Sequence, residues 1–427
     1  MLRFILAGIL PRFTNTPIAY YSSIESKVMR PIFRKYLSNG LLSLASIVGC
    51  LVVLEIGARF FHLALPPVGE EIGGGLKKIL QFDSVLEMRY AENSETKIVS
   101  PYGEYDVVYK TNELGIRDRP VPKVKVQGEF RMLAIGNSFT EGWGVPAKAG
   151  MLRVAERTAN ENPSRRRSLR IVNAGMSGFG AAQGYLLARS LIERVMPDAI
   201  LFVLVGTMIN SDANYLSRAS FDDAAIATGL SVDAILSGGV GASELSNEFD
   251  MTNLLRELGG PSEFARFVAQ RLAARKAIMK ITPMDPKTDM VAIYRADESS
   301  ATELYEPTLR HVGALAEMAR ANAIDFLVVH MPMAFQLSDE EWKEGRKAYK
   351  LDQQNMAEET VVKRFCRDLE IDCLFAKDVL GPAVALDSGQ TPLFFTHDFH
   401  LRQNGNRIVG EWIGHQLERL INSGLTK

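Results

Sequence analysis

Arg131-Met132-Leu133-Ala134-Ile135-Gly136-Asn137-Ser138-Phe139-Thr140-Glu141-Gly142 starts as an apolar run and turns polar at a glycine. A short apolar run closed by Gly136 reads as a strand buried on both faces, and the next residues read as a turn into a helix. The pattern recurs along the chain. Ile171–Val172, Ala199–Val205, Ile324–Val329 and Ile371–Phe375 read as further buried strands. Helix-like stretches near 147–160, 181–195, 303–322, 355–369 and 406–421 separate or succeed them. Strands alternating with helices imply a parallel sheet with helices on both faces. Residues 213–300 interrupt the alternation, with a Gly-rich turn at Ser237–Gly241 and a helical stretch around Pro261–Met279 carrying Arg271, Arg275 and Lys276. They read as an insertion covering the carboxyl ends of the strands, and no internal repeat is visible.

The chain has 427 residues, room for two domains or one large domain with an insertion. Lys plus Arg total 49 and Asp plus Glu total 50, a net charge of −1. That balance supplies no global basic field, so no nucleic-acid partner is expected. Three cysteines are too few for a disulfide framework and lack zinc-ligand spacing, and no metal or other cofactor is implied. Cys366 and Cys373 either pair, which an exported domain would permit, or pack as apolar thiols.

Leu37 to Leu54 is 18 residues without a charge, and apolar character resumes after Glu55 and Arg59. That is about the length a helix needs to cross the hydrocarbon layer. Lys27, Arg30, Arg34 and Lys35 precede it, so the positive-inside rule leaves the N-terminus cytoplasmic and exports the chain beyond Leu65. The competing reading is a buried core helix diluted by Gly40 and Gly49. The expected organisation is a cytoplasmic segment over 1–36 and a bilayer anchor over 37–63. A spacer with a small β element comes next over 64–128, then one domain over 129–427 that contains the 213–300 insertion. Met29 stands before the basic flank, so the natural start is either Met1 or Met29.

Ser138 lies just past the first buried strand, at the sheet end where ligands of parallel α/β proteins bind. Its backbone N–H opens a helix, suited to a developing anion. An ordinary N-cap serine explains the segment equally well. Thr396-His397-Asp398-Phe399-His400-Leu401 lies in a loop before the last helix. A serine nucleophile needs a base that a third group orients, and His400 with Asp398 offers both. His397 is the competing base.

Gly136-Asn137-Ser138-Phe139-Thr140-Glu141-Gly142 resembles the first block of the SGNH/GDSL hydrolase superfamily. Asn173-Ala174-Gly175-Met176-Ser177-Gly178 resembles its second, Gly206-Thr207-Met208-Ile209-Asn210-Ser211-Asp212 its third, and Asp398-Phe399-His400-Leu401 its last. The resemblance covers about 131–422 apart from the insertion. Asn112-Glu113-Leu114-Gly115-Ile116-Arg117-Asp118, behind an apolar segment, is similar to membrane-anchored bacterial members.

The resemblance implies a flavodoxin-like three-layer α/β/α sandwich with a five-stranded parallel sheet, tethered by one N-terminal transmembrane helix. It implies Ser138 as nucleophile, His400 as base and Asp398 as acid, with Ser138, Gly178 and Asn210 forming the oxyanion hole. The substrate it implies is an acyl ester, with O-acetyl groups of envelope or exported polysaccharide as the candidate carbohydrate partner. Transfer of the acyl group to a sugar, with an acceptor groove near Trp143, is the alternative, as is a non-catalytic binding or assembly module. Three departures stand out. Asn137 replaces the usual aspartate, the third block has two extra residues before Asn210, and the acid precedes the histidine by two positions where three is commoner.

Overall fold

The computed structural model describes residues 39, 42–43, 45–57, 75–100, 103–162, 167–236, 264, 292–338, 341, 357–386 and 392–423. The chain forms two compact units. One comprises Met1–Ala64 with Leu255–Val268, and the other Leu65–Leu254 with Ala269–Lys427. Within the first, residues 45–57 are helical and Ile47, Val48, Leu51, Val52, Val53 and Ile56 are exposed. No helix among the described residues is long and apolar enough to cross a membrane. Parts of the expected 37–63 anchor, residues 1–36, the Ser237–Gly241 turn and nearly all of the 261–279 stretch lie outside the described residues.

The second unit is built on five strands: β5 (Glu129–Gly136), β6 (Ser168–Gly175), β7 (Ala199–Val205), β10 (Asp325–Met331) and β11 (Asp372–Phe375). They pair in parallel in the order β6-β5-β7-β10-β11. Each of the five buried runs read from the sequence falls on one of them. All side chains of β5 and β7 are buried, and Met132–Ile135 of β5 and the whole of β7 read as continuous apolar runs. The order is the flavodoxin-like one, and it reverses direction at β5.

The helices that connect these strands pack in two groups. Helix α2 (Met151–Ala159) joins β5 to β6 and packs on the C-terminal α9 (Gln403–Ser423). On the other side α3 (Ala181–Val195), α4 (Met208–Leu216), α6 (Glu298–Ala321) and α7 (Ala357–Asp368) pack against one another. A short α1 (Ser138–Glu141) succeeds β5, α5 (Val232–Leu236) succeeds a hairpin of β8 (Ala219–Phe221) and β9 (Ala227–Leu230), and α8 (Lys377–Leu386) succeeds β11. Residues 213–216 of the expected insertion belong to α4, and the β8–β9 hairpin is tied to α6 where His311 Nε2 accepts the Ala227 N–H at 3.1 Å.

The stretch expected as a spacer carries two hairpins, β1 (Leu80–Asp83) with β2 (Glu87–Tyr90) and β3 (Glu95–Val99) with β4 (Asp106–Lys110). It belongs to the same compact unit, with Tyr90, Tyr109 and Ile116 fully buried. Cys366 on α7 and Cys373 on β11 form a disulfide, Cα to Cα 6.2 Å, which resolves the choice the sequence left open.

Candidate active site

The turn that carries Ser138 is held by the ends of two neighbouring strands. Asn137 is extended and caps α1, its Oδ1 accepting the Phe139 N–H at 3.1 Å. Asparagine at the aspartate position thus makes the turn contact. On β6, Asn173 donates from Nδ2 to the Thr140 carbonyl at 2.9 Å. Gly175 lies beside them because a Cβ there would meet the Glu141 nitrogen at 2.4 Å and Thr140 Cβ at 2.7 Å. Its role is therefore close approach of α1 to β6.

Ser138 and His400 come together across 262 positions of sequence, with His400 Nε2 2.6 Å from Ser138 Oγ. His400 sits on a loop pinned by an antiparallel bridge of Phe394 with Leu401 and by the Phe395 N–H donating to the His400 carbonyl. Asp398 Oδ1 accepts the His400 backbone N–H at 3.0 Å and contacts ring Nδ1. The two-residue spacing lets one oxygen serve both. Asp398 Oδ2 accepts from Tyr105 Oη at 3.0 Å and from Trp143 Nε1 at 3.1 Å. Burial by itself would raise the Asp398 pKa, but the charge and hydrogen bonds of His400, with the Tyr105 hydroxyl, hold it below the ordinary carboxylate value. Burial and the adjacent Asp398 charge push the Tyr105 phenol well up, so it stays a donor.

The imidazole is walled by rings. Phe139 lies 4.9 Å away, Phe399 4.4 Å and Trp143 5.8 Å between centroids. Ser138 is 9% and His400 7% exposed, so bulk water reaches the pair only narrowly. His397 is elsewhere. Its exposed ring is 3.9 Å from Glu104, whose carboxylate accepts the Thr396 and His397 N–H groups and Arg402.

Gly178 and Asn210 lie past the ends of β6 and β7, the two strands that flank β5. Gly178 has φ +85° with open space where a Cβ would stand. Asn210 lies in the first turn of α4, and its Nδ2 is shielded from solvent without an acceptor among the described residues. A buried donor with no partner costs free energy unless a ligand oxygen satisfies it.

The sequence does not mark Tyr105, Arg117 or Glu141 as site residues. The sequence reading sets Trp143 beside an acceptor groove, and in the structure its indole N–H points at Asp398 and Tyr105. Arg117, in the lead-in motif, donates to the carbonyls of Glu141, Gly142 and Val145 at 3.2, 2.7 and 2.7 Å. Asp118 accepts the Asn173 N–H at 2.8 Å. The lead-in therefore clamps both α1 and β6.

No family model matches the chain, and no curated protein does. Among solved structures it is similar to a lipolytic protein of the G-D-S-L family from Desulfitobacterium hafniense, at 13% identity over 67% of this chain and 98% of that one, TM-score 0.33. It is similar to the aryl esterase of M. smegmatis (13%, 68% and 99%, TM-score 0.35) and to a carbohydrate acetylesterase family member from Sinorhizobium meliloti (11%, 68% and 98%, TM-score 0.35). Likeness at this level carries no chemistry from those proteins to this chain.

Proposed function

We propose that this chain is a serine acyl-ester hydrolase, anchored in a membrane through residues 37–63 with its catalytic unit outside the cytoplasm. The observation that carries the reading is the line from Ser138 Oγ to His400 Nε2 at 2.6 Å and from His400 Nδ1 to Asp398. Ser138 Oγ bonds to the acyl carbon while His400 Nε2 takes its proton. The imidazolium then protonates the leaving alcohol as the ester bond breaks. Water attacks the acyl-serine with His400 again as base, releasing the acid and returning the proton to Ser138. Asp398 holds the imidazole in the tautomer with Nδ1 protonated and stabilises its charged form. The N–H groups of Ser138 and Gly178 and the Asn210 side chain would bind the tetrahedral oxyanion, each worth about 3 kcal/mol of barrier. Esters on polysaccharide hydroxyls, O-acetyl groups among them, are the substrates we favour.

The test is turnover of p-nitrophenyl acetate by the full chain in detergent. Loss of several orders of magnitude in Ser138→Ala is expected; equal rates in the two proteins would refute the reading. Export is supported by the Cys366–Cys373 disulfide, which persists in oxidising compartments, and by the basic residues before the apolar helix. A reporter fused after Lys427 should be active only outside the cytoplasm, and cytoplasmic activity would reverse that assignment.

A further inference from the structure

Two cavities adjoin on the side of the catalytic unit formed by the lead-in hairpin, α2 and the His400 loop. One measures about 680 Å³ and the other about 810 Å³. Their linings together hold eight Lys or Arg and five Asp or Glu, on a chain whose net charge is −1. The carboxylates are engaged within the protein. Asp118 pairs with Arg153, Glu156 with Arg119 at 2.6 Å, Glu104 with Arg402 at 3.1 Å and Asp106 with Lys97 at 2.8 Å. Buried Glu141 accepts from the Ser177 hydroxyl. Lys148 and Arg157 line both cavities, and neither side chain makes an ion pair or hydrogen bond among the described residues. The seam between the cavities is therefore a place of uncompensated positive charge.

The second cavity is bordered by the half-buried ring of Tyr105, with the buried Phe395 ring packed behind it at 5.0 Å between centroids. Tyr105 is also the residue that donates to Asp398. A strand lying in this groove passes directly behind the acid of the proposed triad. Each cavity alone is in the range that holds a small ligand, and two joined through a shared cationic seam suit an extended chain.

We infer that this groove binds an acidic glycan, a chain with repeating carboxylates, through Lys148 and Arg157, with a sugar ring packed on Tyr105. The inference rests on the acyl-ester reading above in one respect: a glycan carries acyl esters on its hydroxyls, which a nucleic acid does not. A lipid surface fits poorly, because the linings are charged and concave. Arginine and lysine heads are free to meet carboxylates without first breaking an internal pair, so binding forfeits no existing contact.

The test uses the full chain in detergent carrying Ser138→Ala, so that no turnover disturbs binding, and a fluorescein-labelled decagalacturonate read by anisotropy. Binding is expected, with a neutral mannan oligosaccharide of equal length bound at least about tenfold more weakly. Lys148→Ala with Arg157→Ala should weaken decagalacturonate binding about tenfold or more. It should also reduce the slope of log affinity against log salt by roughly two, one counterion per cation removed. Both residues are exposed, and an unchanged thermal midpoint confirms that the double variant is folded. Equal binding of charged and neutral chains would overturn the proposal, as would a double variant that binds like its parent. Oligothymidylate or phosphatidylglycerol vesicles bound more tightly than decagalacturonate, with the same dependence on Lys148 and Arg157, would also overturn it and assign the seam to that class. Failure of ester turnover in the wild-type chain, with decagalacturonate binding by the Ser138→Ala chain intact, would instead strike the catalytic reading alone.

Discussion

Tyr105 and Trp143 offer a perturbation whose size is set by the geometry. Asp398 faces His400 through Oδ1 and is closed off at Oδ2 by the Tyr105 hydroxyl and the Trp143 indole, at 3.0 and 3.1 Å. Hydrogen bonds to a charged acceptor are worth about 1.5–3 kcal/mol each. Tyr105→Phe removes one and leaves the other, while Oδ1 keeps both of its links to His400. Losing a donor also makes the carboxylate more basic and a better partner for the imidazolium. That gain is limited because Oδ2 is not the oxygen that faces the ring. The net expectation is a three- to tenfold fall in kcat/KM for p-nitrophenyl acetate, at most about 1.4 kcal/mol. Adding Trp143→Phe leaves a buried, charged oxygen with no donor. The combined cost then rises to about 3–4 kcal/mol, or roughly 10²–10³ in rate, more than the two single changes summed. The ceiling is Asp398→Asn, at about 10⁴ when the tautomer is lost, by analogy with the serine-protease case. The fall should appear in kcat, with KM nearly constant, because neither group is proposed to touch the ester. A double variant that melts like wild type and retains kcat within twofold would refute the idea that these residues position the acid.

Three further outcomes are expected. His400→Ala should abolish turnover to the same degree as Ser138→Ala, with the double variant little worse, whereas His397→Ala should stay within about twofold; a damaging His397→Ala beside a harmless His400→Ala would reassign the base. Asn137→Asp should change turnover by less than about tenfold in either direction, since both side chains can accept the Phe139 N–H; a wild-type protein that is inert until this change is made would mark the native chain as a binding module. Burial, opposed by Arg117, raises the Glu141 pKa above its ordinary 4.5, so the folded state holds that proton more tightly than the unfolded one. Stability linked to Glu141 is then greatest below 4.5 and falls as pH rises through the native value. Glu141→Gln should accordingly raise Tm more at about pH 7 than near 4.5, and a constant difference across that window would show that the carboxyl is not perturbed.

What the sequence made legible depended on how local the signal was. Strand β7 is legible because burial on both faces leaves an uninterrupted apolar run, the other strands are legible only in their apolar stretches, and α3 is legible at its observed bounds because the helical period holds across Ala181–Val195. Helix α8 is not legible because Gly381 and Pro382 lie inside it, and α4 is not legible because it begins within Gly206–Asp212, the stretch that resembles the family's third block. Ser138, Asp398 and His400 could be singled out because each sits in a short stretch whose residue types already suggest chemistry. Tyr105 could not, because its contact with Asp398 spans 293 positions and nothing in the spacing of a β-hairpin encodes it.

The acid two residues before the histidine, rather than three, shows how the lead-in enters the site. With this spacing Oδ1 of Asp398 serves both the backbone N–H and the ring of His400, so the loop itself offers nothing to Oδ2. A buried carboxylate oxygen left bare would be costly and would loosen the acid. The missing donors come from outside the loop: Trp143, just beyond α1, and Tyr105, at the entry to β4. Trp143 can reach Asp398 only if the chain leaves α1 sharply. Gly142 and Gly144 take positive φ for that turn, and Arg117 binds the carbonyls of Glu141, Gly142 and Val145 around it. Residues 105–117 thus hold Asp398 with one side chain and the turn after Ser138 with another. Deleting them should disarm the proposed site even though they contain none of Ser138, His400 and Asp398.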